Sequence, residues 1–161
     1  MITSCKFTSP PTPSPPISEI SGNSCSIIYG ANKYNANITH LFQGITSVTF
    51  SSPESLDGIS YSFSENGCHI TFGDLKFSTD TSFISDTALP QIINDILYNA
   101  QQDGALTYKQ RNEPNASTLV TAVFTGKIGK YPYTIVTDFD TGYIKEISVR
   151  DLDLKITFPN K

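Results

Sequence analysis

The residues of this chain with the most chemistry to offer are three cysteines and two histidines. His40 and His69 have no carboxylate or cysteine at a ligand spacing, apart from Cys68 beside His69. Neighbours on a strand point to opposite faces, so that pair does not converge. A metal centre needs several donors aimed at one point, and no such set is indicated. Serines are plentiful, yet no G-x-S-x-G elbow sets one apart as a nucleophile. Asp138-Phe139-Asp140-Thr141-Gly142 opens like a calcium loop, but an EF-hand then needs glycine at the sixth place and glutamate at the twelfth. Tyr143 and Val149 stand there, so the stretch reads as a hairpin turn. The expectation is a chain with no catalytic residues, no metal and no cofactor, which is not an enzyme.

The cysteines differ in setting. Cys5 follows Ile2-Thr3-Ser4, which looks like a lipobox, the apolar-to-small run before a cysteine that takes a diacylglyceryl thioether. Two acyl chains there would anchor a protein stably to a membrane. The sequence opens directly on Met1, without a signal peptide or the apolar run that precedes a lipobox, which fits a start placed too late or a trimmed chain. Cys25 and Cys68 fall in expected strands. In an oxidising compartment they could form a disulfide if their Cα atoms lie within about 7 Å. Otherwise they are buried thiols acting as small hydrophobes. Asn37-Ile38-Thr39 and Asn115-Ala116-Ser117 match the glycosylation acceptor pattern, and Asn115, in a polar turn, is the better placed.

The composition narrows the partners. At 161 residues the chain is one domain, able to bury about 70% of its unfolded surface. Charged residues make up only 16%, and Ser, Thr and Asn carry the polar load, a leaning of β-rich extracytoplasmic proteins. A net charge of −4 argues against nucleic acid, whose phosphates need a basic stripe. No window approaches the roughly 20 apolar residues of a membrane-spanning helix.

Residues 6–24 carry five prolines between Pro10 and Pro16 and read as a polyproline II tether outside the fold, with Ile17 and Ile20 free to pack on its edge. The domain is expected over 25–161, opening with a hairpin around Gly30-Ala31-Asn32-Lys33. Residues 45–77 are its clearest part. Val48 and Phe50, then Ile59, Tyr61 and Phe63, then Cys68, Ile70 and Phe72, then Leu75 and Phe77 alternate with polar neighbours. Period-two alternation between Asn-Gly and Gly-Asp turns predicts strands with one buried face. Residues 78–88 read as a loop. A helix follows, with Thr87 as N-cap, Pro90 in the first turn and Gly104 past its end. Ile92, Ile93, Ile96, Leu97 and Ala100 give it a broad apolar stripe, with Asn94, Asp95 and Asn99 off that stripe. The last third returns to strands, ending on Leu152, Leu154, Ile156 and Phe158 on one face. The fold class is α+β: a strongly curved antiparallel sheet with one main covering helix.

Several phrases carry a resemblance: the Cys25–Ile38 hairpin, Ser52-Pro53-Glu54-Ser55-Leu56-Asp57-Gly58-Ile59, Phe72-Gly73-Asp74-Leu75-Lys76-Phe77, Leu89–Leu97 and Asp140–Ile147. Their order over residues 25–159 resembles extracytoplasmic lipoproteins of Firmicutes with a fold like the outer-membrane lipoprotein carrier LolA. That family is a half-closed barrel whose concave side, lined by helices, can hold an acyl chain. Its usual helix before the first strand is replaced here by the Pro-rich tail. The resemblance implies a domain outside the cytoplasm, tethered to the cell membrane by lipid on Cys5. It also implies a lipid or other hydrophobic ligand between the concave face and Ile92, Ile93, Ile96 and Leu97. The competing expectation is a solid-cored sensor or scaffold that binds an envelope protein. Unfilled volume beneath the helix would mark the first, and an exposed apolar patch or bare strand edge the second.

Overall fold

In the computed structural model, which describes residues 11–16, 19–41, 44–112 and 120–159, the alternating stretches become eleven strands of one antiparallel sheet. Strands β1 (Ile20–Tyr29), β2 (Asn32–Leu41), β3 (Ile45–Ser52), β4 (Ser60–Ser64), β5 (Gly67–Phe72) and β6 (Leu75–Thr79) form a meander. Helix α1 (Leu89–Ala100) follows. Strands β7 (Thr107–Asn112), β8 (Thr121–Ile128), β9 (Tyr131–Asp138), β10 (Ile144–Val149) and β11 (Leu154–Thr157) form a second meander. The spatial order is β6-β5-β4-β3-β2-β1-β11-β10-β9-β8-β7, so first and last strands pair at the centre, and β6 and β7 are the two edges.

This order explains the position of the helix. The connection from β6 to β7 joins the two edges, and so it must cross a face of the sheet. On its way α1 touches both β3 and β8. Those strands stand six places apart, a separation of about 29 Å in a flat sheet at roughly 4.8 Å per strand. One helix about 10 Å across reaches both only because the sheet curves round it. The structure is therefore the expected α+β class, an open, strongly curved antiparallel sheet with one helix on its concave side.

The alternation sets the core. Cys25 and Ile27 on β1, Ala36 and Ile38 on β2, Val48 and Phe50 on β3, and Ile135, Ile147 and Ile156 on the second meander all turn inward and are buried. Ile92, Ile93, Ile96 and Leu97 meet them from α1. Gly67 shows how a turn residue allows this close pairing. Its φ is +111°, and an added Cβ would stand 2.5 Å from the Thr79 carbonyl oxygen. Only glycine lets the β4–β5 turn pass so near β6.

Three details differ from the sequence reading. The first strand begins at Ile20 rather than near Cys25. Ile20 is buried and pairs with His40, and an irregularity between Ile20 and Asn23 absorbs the polar residues that hid the strand. The Pro-rich tail is not wholly a spacer outside the fold either. Pro13 is buried, and Ser14 donates its N–H to the Phe139 carbonyl (2.9 Å) and its hydroxyl to that of Asp140. A polyproline segment has no internal hydrogen bonds, so its free N–H groups seek outside acceptors. The N-cap of α1 is Ala88, with no side-chain cap. The Thr87 hydroxyl is engaged with that of Ser85 instead, at 2.9 Å.

Candidate functional site

Cysteine and histidine chemistry is quickly placed. A disulfide between Cys25 and Cys68 is not formed, and both thiols are free and buried. Cys25 lies on β1 and Cys68 on β5, with β2, β3 and β4 between them. Three intervening strands hold the pair far beyond the about 7 Å limit for a bridge. The Cys25 Sγ lies 3.4 Å from the Ala36 carbonyl, and burial pushes its pKa up to about 12. Burial also raises the Cys68 pKa. These are thiols kept in the unreactive form.

His40 is buried and shares a hydrogen bond between Nδ1 and the Thr46 hydroxyl (2.8 Å). Desolvation lowers its pKa, and the Gln101 side chain opposes that shift. His69 faces the other way, at 2.8 Å from the Ser78 hydroxyl, as alternation from Cys68 requires. Among the described residues no three of His, Cys, Asp and Glu come together as metal donors.

Asp138 closes the β9–β10 hairpin. Its Oδ1 accepts from the Thr141 hydroxyl (2.7 Å) and backbone N–H (2.9 Å), bonds that lower its pKa. Cys5 and Asn115 lie outside the described residues. Asn37 sits on β2 and accepts from the Ser24 hydroxyl at 2.7 Å.

The four helix residues expected to face a ligand are side chains of the packed core. Ile92, Ile93, Ile96 and Leu97 are exposed by 0%, 1%, 0% and 2%. Two clefts among the described residues lie elsewhere. One of about 320 Å³ sits against the middle of β1 and β2 and the end of β11, around Cys25, Ala36 and Phe158. Another of about 500 Å³ lies between the outer side of α1 and the β4–β5 turn. Neither is lined by any of the four.

What sequence reasoning did not foresee is where the concave face stops being covered. Across β3, β4, β5 and β6 the registers run Val48↔Tyr61, Tyr61↔Ile70 and Ile70↔Phe77, with Phe72↔Leu75 beside them. These residues share one face, so the apolar lining of the core continues to the sheet edge. The cover does not. Val48 is fully buried, Tyr61 and Ile70 are half-buried, while Phe72, Leu75 and Phe77 are exposed by 51%, 73% and 62%. Phe83, in the turn after β6, is also exposed. Among the described residues no strand pairs with the outer side of β6. An apolar strip and an unpaired backbone thus lie side by side. Burying any one of these large side chains would contribute about 1.5–3 kcal/mol.

The opposite edge has a different make-up. β7 reads Thr-Tyr-Lys-Gln-Arg-Asn, is exposed throughout, and breaks register against β8 between Tyr108 and Gln110. Arg111 lies over the Phe139 ring at 4.5 Å. Cations and an irregular register are the devices that keep a sheet edge from pairing.

No protein-family model matches the chain, and no curated protein does. Among solved structures it is similar to an uncharacterized conserved protein from Thermus thermophilus, at 8% identity and a TM-score of 0.45, covering 85% of this chain and 76% of that one. It is similar to a LolA superfamily protein from Nitrosomonas europaea, at 9% identity and a TM-score of 0.37, covering 78% of this chain and 60% of that one. The lipoprotein LppX of Mycobacterium tuberculosis is similar at 10% identity and a TM-score of 0.40, with coverage of 85% and 84%.

Proposed function

We propose that this protein is a non-catalytic binding domain of the cell envelope, tethered by lipid on Cys5. Its β6 edge receives an extended segment of a protein partner. The observation that carries this reading is the joining of an unpaired strand edge to exposed Phe72, Leu75 and Phe77. Added as a twelfth strand, a partner segment would satisfy the edge backbone of β6. Its alternate side chains would cover the apolar strip. An acyl ligand is the weaker candidate for this site. The space beneath α1 is occupied by Ile92, Ile93, Ile96 and Leu97, and an acyl chain on the open strip would stay half in water. The extracytoplasmic address rests on the lipobox-like run and the low-charge composition.

Native mass spectrometry with organic extraction, on the full chain purified from the producing cell, tests the reading. A co-purifying polypeptide, absent from the Phe77→Asp variant and unaffected by Tyr108→Asp on β7, supports it. A lipid at near one equivalent that survives Phe77→Asp contradicts it.

A further inference from the structure

The backbone of β6 is selective about what can pair with it. Phe72 and Leu75 close the Gly73-Asp74 turn, and the strand then runs without a shift through Ile70↔Phe77 and Cys68↔Thr79. In an antiparallel hairpin the closing residues exchange both hydrogen bonds, and every second pair after them does the same. Leu75, Phe77 and Thr79 therefore direct their backbone groups to β5. Those of Lys76 and Ser78 point away from the sheet, and among the described residues no strand meets them.

The strand is also symmetric about its middle. β6 is five residues long, from Leu75 to Thr79, with Phe77 at its centre. Laid antiparallel against a second β6 with the two Phe77 residues opposite, it pairs over its whole length. Lys76 then faces Ser78 of the second copy, and Ser78 faces its Lys76. Every outward N–H and C=O of both strands finds a partner. The two Phe77 residues form a pair without hydrogen bonds, where side chains come closest and Cα atoms stand about 4.5 Å apart. The neighbouring registers are poorer. One sets Lys76 against Lys76, a like-charge pair that disfavours the ladder. The other sets Lys76 against Asp80, which lies beyond the end of the strand. A slip of one residue would turn the apolar side of one copy against the polar side of the other.

We infer that the segment received at this edge is the β6 strand of a second copy, which makes a two-fold dimer with one continuous sheet. The inference rests on the reading of β6 as a receiving edge and names its occupant. The apolar strips of the two copies then lie side by side across the axis. Phe72, Leu75, Phe77 and Phe83 together expose on the order of 500 Å² per chain. Two copies bring about twice that, the low end of what a specific interface buries, so the dimer comes apart on dilution. β7 offers no equivalent, because Lys109 and Arg111 of two copies would meet there and its register is broken.

The test is sedimentation velocity of the full chain from micromolar to near-millimolar concentration, joined to a cysteine scan. Single cysteines are placed at Phe77→Cys or Leu75→Cys in a chain carrying Cys5→Ser, and oxidised with glutathione disulfide. In the two-fold register the Phe77→Cys thiols lie within bridging reach, whereas Leu75 faces Thr79 of the second copy and the Leu75→Cys thiols stay apart. A monomer–dimer equilibrium is expected, with a disulfide dimer from Phe77→Cys alone. Ser78→Pro should weaken the dimer at least tenfold, because it removes one outward N–H and keeps the apolar strip. Ser78 is exposed on an edge strand, where proline is tolerated. Tyr108→Asp on β7 should change nothing. A monomer at every concentration with no Phe77→Cys bridge overturns the inference, and so does equal bridging at Leu75→Cys. In the first case a co-purifying polypeptide of another mass, lost with Phe77→Asp, leaves the reading of the edge standing, and its absence removes both.

Discussion

The two edges of the sheet are built from strands of similar length and opposite character. β7 carries Lys109 and Arg111, breaks register, and leans on Phe139 through the Arg111 guanidinium. Around it Phe139 donates its N–H to the Val120 carbonyl, and Ser14 docks on the Phe139 carbonyl. β6 pairs with β5 in unbroken register from Cys68 to Phe72 and presents Leu75 and Phe77 to solvent. An unguarded apolar edge invites aggregation, so its presence on β6 alone supports the proposed use of that edge. The contrast separates function from stability. The centre of the concave face holds the fold together, and its β6 margin stays open, the surface we propose for a partner.

The largest expected effect comes from placing the same charge at these two positions. Ile96→Asp buries a carboxylate among Ile38, Val48 and Ile135, and the protein should not fold. The milder Ile96→Ala should cost about 2–5 kcal/mol in urea unfolding. Phe77→Asp, already 62% exposed, should leave the unfolding midpoint nearly unchanged while removing the partner. If Phe77→Asp unfolded the chain, the strip would be core, and the contrast between centre and margin would fail.

Next in size is a change that turns the guarded edge into an unguarded one. Lys109→Val together with Arg111→Val removes both cations from β7. Concentration-dependent self-association by sedimentation is expected, where the parent chain shows less. A monomeric double variant would mean that the irregular register alone protects this edge.

A smaller effect separates two carboxylates by pH. Hydrogen bonds from Thr141 depress the Asp138 pKa in the folded protein. Its contribution is therefore present above the ordinary carboxylate pKa and lost as pH falls through the depressed one. Asp138→Asn should lower stability at neutral pH and have little effect in strong acid. Burial raises the Asp95 pKa, so the sign reverses. Stability falls as pH rises from the unfolded value to the raised one, and Asp95→Asn should stabilise the chain at neutral pH. Thermal melts across that range check both signs.

Smallest is the effect on the thiols. With a pKa of about 12, Cys25 should react with iodoacetamide only after unfolding, and Cys25 and Cys68 should then both alkylate without a reductant. A pair that needs reduction first would restore the disulfide.

Much of this was legible in the residues. The alternation through residues 45–77 marked four strands, and Asn66-Gly67 marked the turn between β4 and β5. Ile92, Ile93, Ile96 and Leu97 marked the buried side of the helix. The exposure of β6 was not legible, because Leu75 and Phe77 alternate in the same way whether or not a helix covers them. That depends on where α1 lies across the sheet, against β3 and β8, which is a long-range contact that no local pattern encodes. The polar stripe of α1 was visible as residues off the apolar side. Only the nearby β4–β5 turn makes it a wall, and no local pattern encodes that approach. The start of β1 was hidden by Ser21-Gly22-Asn23, whose composition reads as a loop although the backbone continues through an irregular register.

One measurement tests the central contrast most directly: a benzophenone amino acid placed at Leu75 on β6 or at Tyr108 on β7, irradiated in the producing cell. A protein-sized adduct at Leu75, lost with Phe77→Asp and missing at Tyr108, is the predicted result. Equal adducts at both edges, or a lipid mass at Leu75, would contradict the account.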